Sequence, residues 1–208
     1  MDMGGKIMNK FMKTAVLSFA LLFIAGAAGK IYAMAPQWKL DPAHSGIYFS
    51  IQHIYSNTHG FFDDFKGETF FDPDNLGGSS FNFTVQVKSV NTNNRKRDGH
   101  LRSGDFFSVK EYPVMTFKST RITHKQGNQY VIEGKMTVKD VTKSVSIPFT
   151  FFGTTDNPFN PKETVAGFEA RFTIDRLEYN VGNGKFFKMG VVGKEVDVTI
   201  STEMTRKK

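Results

Sequence analysis

The chain has 208 residues, with 27 Lys or Arg against 20 Asp or Glu, a formal net charge of +7 and a sequence pI near 9.5. It contains no Cys, which excludes disulfides, thiolate metal sites, thiol catalysis and covalent haem attachment. Its 22 Phe against a single Trp call for a large apolar interior.

The first predicted element is a leader. Lys6, Lys10 and Lys13 precede an apolar and small-residue run from Ala15 to Gly29, which Lys30 stops. That run is shorter than the roughly 20 residues that cross a bilayer as a helix. Residues 1–33 therefore read as a secretory signal peptide cleaved after Ala33, with a retained anchor as the alternative. A cut after Ala35 would leave Pro36 as the new N-terminus, which argues for Ala33. Without residues 1–33 the chain keeps 23 basic and 19 acidic residues, so its charge falls to +4. The remaining excess lies in Arg95-Lys96-Arg97 and Arg206-Lys207-Lys208, clusters too short to point to nucleic acid. Residues 34–208 fit one domain with a full-sized core.

From Ser45 onward the pattern has period two, as in strands with one buried face. Ile47, Phe49, Ile51 and His53 face in, as do Phe81, Phe83, Val85 and Val87. The same reading turns Tyr130, Ile132, Met136 and Val138 inward, then Val145, Ile147, Phe149 and Phe151. Phe168, Ala170, Phe172 and Ile174 follow, then Val196, Val198 and Ile200. Noisier runs at 65–72 and 113–122 bring the count to about eight strands. The outward positions are Ser, Thr, Lys, Glu, Gln and Arg, which suit water and not lipid tails, so this is no membrane barrel. Asp72-Pro73-Asp74, Gly77-Gly78, Gly127-Asn128 and Asn157-Pro158 mark turns between consecutive hairpins, which close into a barrel or stack as a sandwich. Pro148 falls inside a strand run and predicts a bulge or local break. Between Asn91 and Tyr112 the alternation fails, and residues 95–107 are predicted to form one or two helical turns across a barrel mouth.

These residues carry a resemblance. WKLDPAHS at 38–45, FSIQH at 49–53, GFFDDFKG at 60–67 and SVNT at 89–92 are followed by RDGHLRSGDFF at 97–107 and YPVMTFKST at 112–120. TVKDVTKSV at 137–145 and GFEARFTIDRLEYNVG at 167–182 complete the order, and the chain resembles the YceI-like family over essentially all of residues 34–208. The resemblance implies an all-β, eight-stranded, antiparallel lipocalin-like barrel with a short helical segment near one mouth. It implies a place in the bacterial periplasm, or outside the cell if the host has a single membrane. The ligands it implies are isoprenoids, isoprenoid quinones or fatty-acyl chains, and family members pair as homodimers. Transient membrane contact is an expectation from the basic cluster near the mouth and not from the resemblance. Asp140 and Asn180 stand where the family has Gly, and both residue types tolerate the positive φ that Gly serves.

The expected ligand-binding set is Phe49, Ile51, Phe83, Val85 and Phe117, with Phe149, Phe151, Phe168 and Phe172, and Phe106 as a cap. The competing reading is that these side chains simply fill the barrel, since an eight-stranded interior is only just wide enough for side chains or one small ligand. Each buried CH₂ contributes about 0.8 kcal/mol, so roughly ten carbons give ~8 kcal/mol gross before the costs of association. His53, His100 and Arg102 are the candidate headgroup contacts. Against that, His53 reads as a hydrogen-bonded barrel-end histidine and Arg102 as an ion-pair partner of Asp98 or Asp105. No metal or cofactor is expected, because His44, His53 and His59 match no ligand spacing. No Gly-x-Ser-x-Gly elbow is present, and Ser103 before Gly104 is isolated. The function expected is a non-enzymatic carrier, store or buffer for a lipid. Two alternatives stand beside it: an envelope interaction protein with a filled barrel, and an isomerase or dehydratase using His100 with Asp98 or Asp105.

Overall fold

The computed structural model describes residues 33–208. The predicted leader lies outside the described residues, apart from Ala33. Ten hydrogen-bonded segments form one antiparallel sheet. They are β1 (Gln37–His53), β2 (Ser56–Phe62), β3 (Phe65–Phe70), β4 (Ser80–Gln86) and β5 (Val90–Asn91). The second half adds β6 (Val114–Gln126), β7 (Gln129–Val138), β8 (Val141–Asp156), β9 (Glu163–Asp175) and β10 (Val192–Lys207).

Two of the wall strands are interrupted, which reconciles ten segments with an eight-stranded barrel. β2 and β3 are halves of one strand broken at Asp63-Asp64; β4 and β5 are halves of the next, broken by a 3₁₀ turn at Val87–Ser89. The two breaks face each other and bond across, Gln86 N to Asp64 O at 2.8 Å and Asp63 N to Ser89 O at 3.3 Å. Every neighbour is otherwise the next strand in sequence, and β1 pairs with β10 from Lys39↔Thr205 to His53↔Val192 to close the ring. A closed ring leaves no sheet edge to template aggregation.

Pro148 does not bulge away from β7, whose register runs through Val131↔Pro148 without a shift. The break is on the other side: pairing of β8 with β9 ends at Phe149↔Ala170, beside the residue that has no N–H to give. The β8 irregularity sits instead between Phe151 and Thr154, where Gly153 takes φ = 95°. Of the two departures from glycine, Asn180 does adopt φ = 56°, whereas in the Val138–Val141 turn Lys139 and not Asp140 takes the positive φ, 54°.

The helical turns expected over 95–107 resolve into α1 (Arg95–Arg102), followed by hydrogen-bonded turns. Asn94 caps α1 by accepting from Arg97 N, and Gly99 is tolerated with nothing within 4 Å of where its Cβ would be. A single turn, α2 (Lys185–Lys188), precedes β10.

One end of the barrel is solid. Phe71, 1% exposed, comes off β3 onto the axis and is ringed by Phe81, Tyr130, Phe149, Phe151 and Phe168 with centroids 5.0–6.1 Å away. Trp38 Nε1 donates to Phe71 O at 2.9 Å and fixes that backbone. Most of these rings meet edge to face, the arrangement that the aromatic quadrupole favours.

Candidate functional site

The other half of the barrel encloses a cavity of about 580 Å³ whose wall is overwhelmingly apolar. The division between plug and cavity can be followed along β7: Tyr130 and Ile132 join the plug, Gly134 follows, and Met136 and Val138 line the cavity. Glycine is needed at that boundary, because a Cβ on Gly134 would lie 2.6 Å from the Phe117 ring and from Lys118 O. Phe117 thus lies against the wall and leaves the lumen open.

Of the predicted ligand-binding residues, Phe49, Ile51, Phe106, Phe117 and Phe172 line the cavity. Phe149 and Phe168 are buried in the plug instead, with Phe83 and Phe151 packed on it. Val85 is buried in a side cluster with Ile47, Phe62, Val87 and Val90. Those five side chains point inward as expected, but Phe149, Phe151 and Phe168 stand at the height of the plug. Phe83 and Val85, although level with the lining residues Phe117 and Met115, are packed into the neighbouring clusters.

The mouth is formed by α1 and the segment after it. His53 and His100 both line the cavity, while Arg102 does not. Arg102 is no partner of Asp98 or Asp105 either: its Nε donates to Lys88 O at 2.8 Å and its NH2 to Val90 O at 2.9 Å, strapping α1 to the break between β4 and β5. The other end of α1 is pinned by the buried Asp98, which accepts from Thr92 N (2.9 Å) and Thr92 Oγ1 (2.6 Å). Arg97 Nε closes this network by donating to Thr92 Oγ1 at 2.7 Å. Charged groups bonded in this way hold a helix far better than neutral ones.

His100 sits over Phe106 with ring centroids 5.0 Å apart, and Phe106 stacks on Phe186 at 5.7 Å. His100 Nε2 bonds Asp105 Oδ2 at 2.8 Å, with both side chains largely in water. Arg176, 4% exposed, also packs near Phe106, with its Cζ 5.8 Å from the ring centre. Burial, opposed by Asp175, makes Arg176 less basic than an ordinary arginine, and burial together with Glu178 raises the pKa of Tyr179 beside it.

Sequence reasoning missed Leu101, Phe107, Tyr179, Val181 and Phe186, which line the cavity from outside the strands, where period-two alternation carries no signal. It also missed Phe62 and Met115, which line the cavity from β2 and β6.

His44, His53 and His59 stand apart, since His44 sits at the bulge of β1, His53 at its far end and His59 on the outer face of β2. Asp41, His44 and Glu203 do bring ligand atoms within 4.8 Å of one another on the outer surface. There His44 Nδ1 already hydrogen-bonds Asp41 Oδ2 at 2.8 Å.

Comparison with known proteins places this barrel. The family model described as the YceI-like domain matches residues 38–204. The chain belongs to the YceI-like family. Protein YceI of Salmonella arizonae is 36% identical over 200 residues, covering 95% of this chain and 100% of the relative. The crystal structure of Burkholderia cenocepacia BcnA superposes on this YceI-like barrel with a TM-score of 0.72 at 26% identity, over 79% of this chain and 99% of that one. The Campylobacter jejuni YCEI protein gives a TM-score of 0.65 at 25% identity, over 74% and 87%. A polyisoprenoid binding domain from Saccharophagus degradans, implicated in plant cell wall breakdown, shares the fold at a TM-score of 0.60 and 14% identity, over 82% and 98%.

Proposed function

We propose that this YceI-like protein is an exported, non-enzymatic carrier, store or buffer that holds a long-chain isoprenoid or similar amphiphile in the open half of its barrel. The observation that carries the reading is the blind apolar cavity. Its volume of about 580 Å³ falls within the roughly 300–1,000 Å³ typical of ligand pockets, and it is plugged behind by Phe71. A tail gains about 0.8 kcal/mol for each CH₂ taken from water, so length supplies affinity and specificity for tail type is loose. The relative from Saccharophagus degradans points to the isoprenoid class.

Contact with a membrane during loading belongs to the same proposal. Ile54, Tyr55, Phe187 and Met189 stand exposed beside the mouth, with Tyr55 and Phe187 on one shallow depression and Lys185 and Lys188 exposed among them. Apolar tips among lysines suit the interface of an anionic bilayer. Export to the periplasm, or to the medium of a cell with one membrane, rests on the leader; a purified protein beginning at Met34 is the expected sign.

The deciding experiment is native mass spectrometry followed by solvent extraction of protein taken from its own envelope compartment. A stoichiometric prenyl, quinone or acyl species is expected. Bare protein that takes up no offered lipid would overturn the reading in favour of an interaction protein.

A further inference from the structure

The polar part of the cavity wall is one-sided in charge. Lys96, Arg97 and Arg176 line it together with His53 and His100, and no Asp or Glu does. The carboxylates closest to them in sequence are engaged: Asp98 with Thr92, Asp105 with His100, Asp175 with Lys194 and Glu178 with Lys143.

Arg176 decides what this means. Its Nε donates to Gly193 O at 2.8 Å, its NH1 to Val181 O at 2.6 Å and its NH2 to Val192 O at 3.5 Å. A guanidinium has five N–H donors, so two remain beyond these three carbonyls. Among the described residues no salt bridge reaches it, although it is 4% exposed. A cation in a low-dielectric wall with spare donors, offset only by the charge of Asp175, which is itself bonded to Lys194, is costly unless a further anionic group joins it. Lys96 and Arg97 face the same space from α1, with His100 one turn after Lys96 on the same face and 5.0 Å from the Phe106 ring that Arg176 flanks.

We infer that the ligand carries an anionic oxyacid headgroup, phosphate or carboxylate, seated at the mouth between Arg176 and the Lys96–Arg97 turn of α1, with its tail down the barrel. The inference rests on the lipid-binding reading and narrows it from amphiphiles in general to acidic ones. Planar forked donors match both oxyacids, and pairing with them in a dry wall is stronger than with a neutral alcohol or quinone oxygen.

The test uses matched probes on the purified protein: farnesyl phosphate against farnesol, palmitate against hexadecanol, and inorganic phosphate alone, with Kd from calorimetry. Each acid is expected to bind at least about tenfold tighter than its alcohol, with an advantage that shrinks in salt. Arg176→Gln is expected to abolish most of that ratio. Should Arg176→Gln fail to fold, the exposed Lys96→Gln is expected to lower the acid-to-alcohol ratio about threefold. Equal affinity for acid and alcohol overturns the headgroup inference and leaves the carrier standing. Inorganic phosphate that binds as tightly as farnesyl phosphate overturns it in favour of a free-anion site. If no probe binds, the lipid-binding reading itself falls.

Discussion

The Phe49 ring lies across Gly60, its cross-strand partner in β2, so closely that a Cβ on Gly60 would sit 2.8 Å from Phe49 Cε1 and 2.9 Å from Asn91 O. Phe83 covers Gly67 and Phe117 covers Gly134 in the same way, each with a ring carbon 2.6 Å from the position of the missing Cβ. These pairs flatten bulky rings against the wall, and those of Phe49 and Phe117, which border the cavity, help make a lumen possible in a phenylalanine-rich barrel.

Gly60→Ala must therefore move both the Phe49 ring and the short β5 pairing. Overpacking of this kind costs about 1–3 kcal/mol. Thermal unfolding is expected to show a lowered Tm, and ligand titration a weaker affinity for bulky tails. An unchanged Tm would mean that the ring has room to turn aside.

Phe71→Ala opens the plug at its centre. Removing a fully buried Phe costs about 3–5 kcal/mol, read from urea unfolding at constant m. The cavity is expected to deepen, so that the longest prenyl alcohol retained in native mass spectrometry gains one or more isoprene units.

Arg102→Met keeps the stem but removes the two bonds from the guanidinium to Lys88 O and Val90 O. A loss of about 1.5–3 kcal/mol is expected for hydrogen bonds from a charged donor. Hydrogen exchange is expected to rise selectively in α1, and lipid release to quicken. A uniform rise across all strands would instead mark a global loss.

His44 titrates above the ordinary histidine value, chiefly because it hydrogen-bonds Asp41, with Coulombic help from Asp41 and Glu203. A histidine pKa raised by folding stabilises the fold fully below its unfolded value of about 6.5, and that contribution disappears as pH rises through the folded value. Asp41 is lowered by the same hydrogen bond, then by Ala43 N, so its contribution is lost as pH falls through its folded value. The corner of β1 is therefore held best between the two. NMR titration of His44 is expected to give a raised midpoint that Asp41→Asn brings most of the way back, the remainder being owed to Glu203.

The strands were legible because alternation survives wherever one face is wet. What alternation does not report is height along the barrel axis. Phe149 and Phe49 are equally inward by that rule, yet one closes the plug and the other borders the cavity. The start of β1 was hidden because the bulge between Asp41 and Gly46 shifts the pairing and interrupts the period. The turn at Ile54-Tyr55 was hidden too, since Ile54 takes φ = 53° without Gly or Asn to announce it. Arg102 was singled out as a headgroup contact or ion-pair partner, but its carbonyl partners lie on a 3₁₀ break that no local pattern marks.

The ring closes only where β1 meets β10, and there Ser45 Oγ accepts from Glu203 N at 3.1 Å across 158 residues of sequence. Contacts so distant along the chain form late and slowly. A chain that has not yet produced Val192 holds an open trough with two unbonded strand margins, β1 and β9, and a lining of bare phenylalanine. During synthesis and folding the last sixteen residues of the sheet decide between a closed vessel and a sticky half-shell.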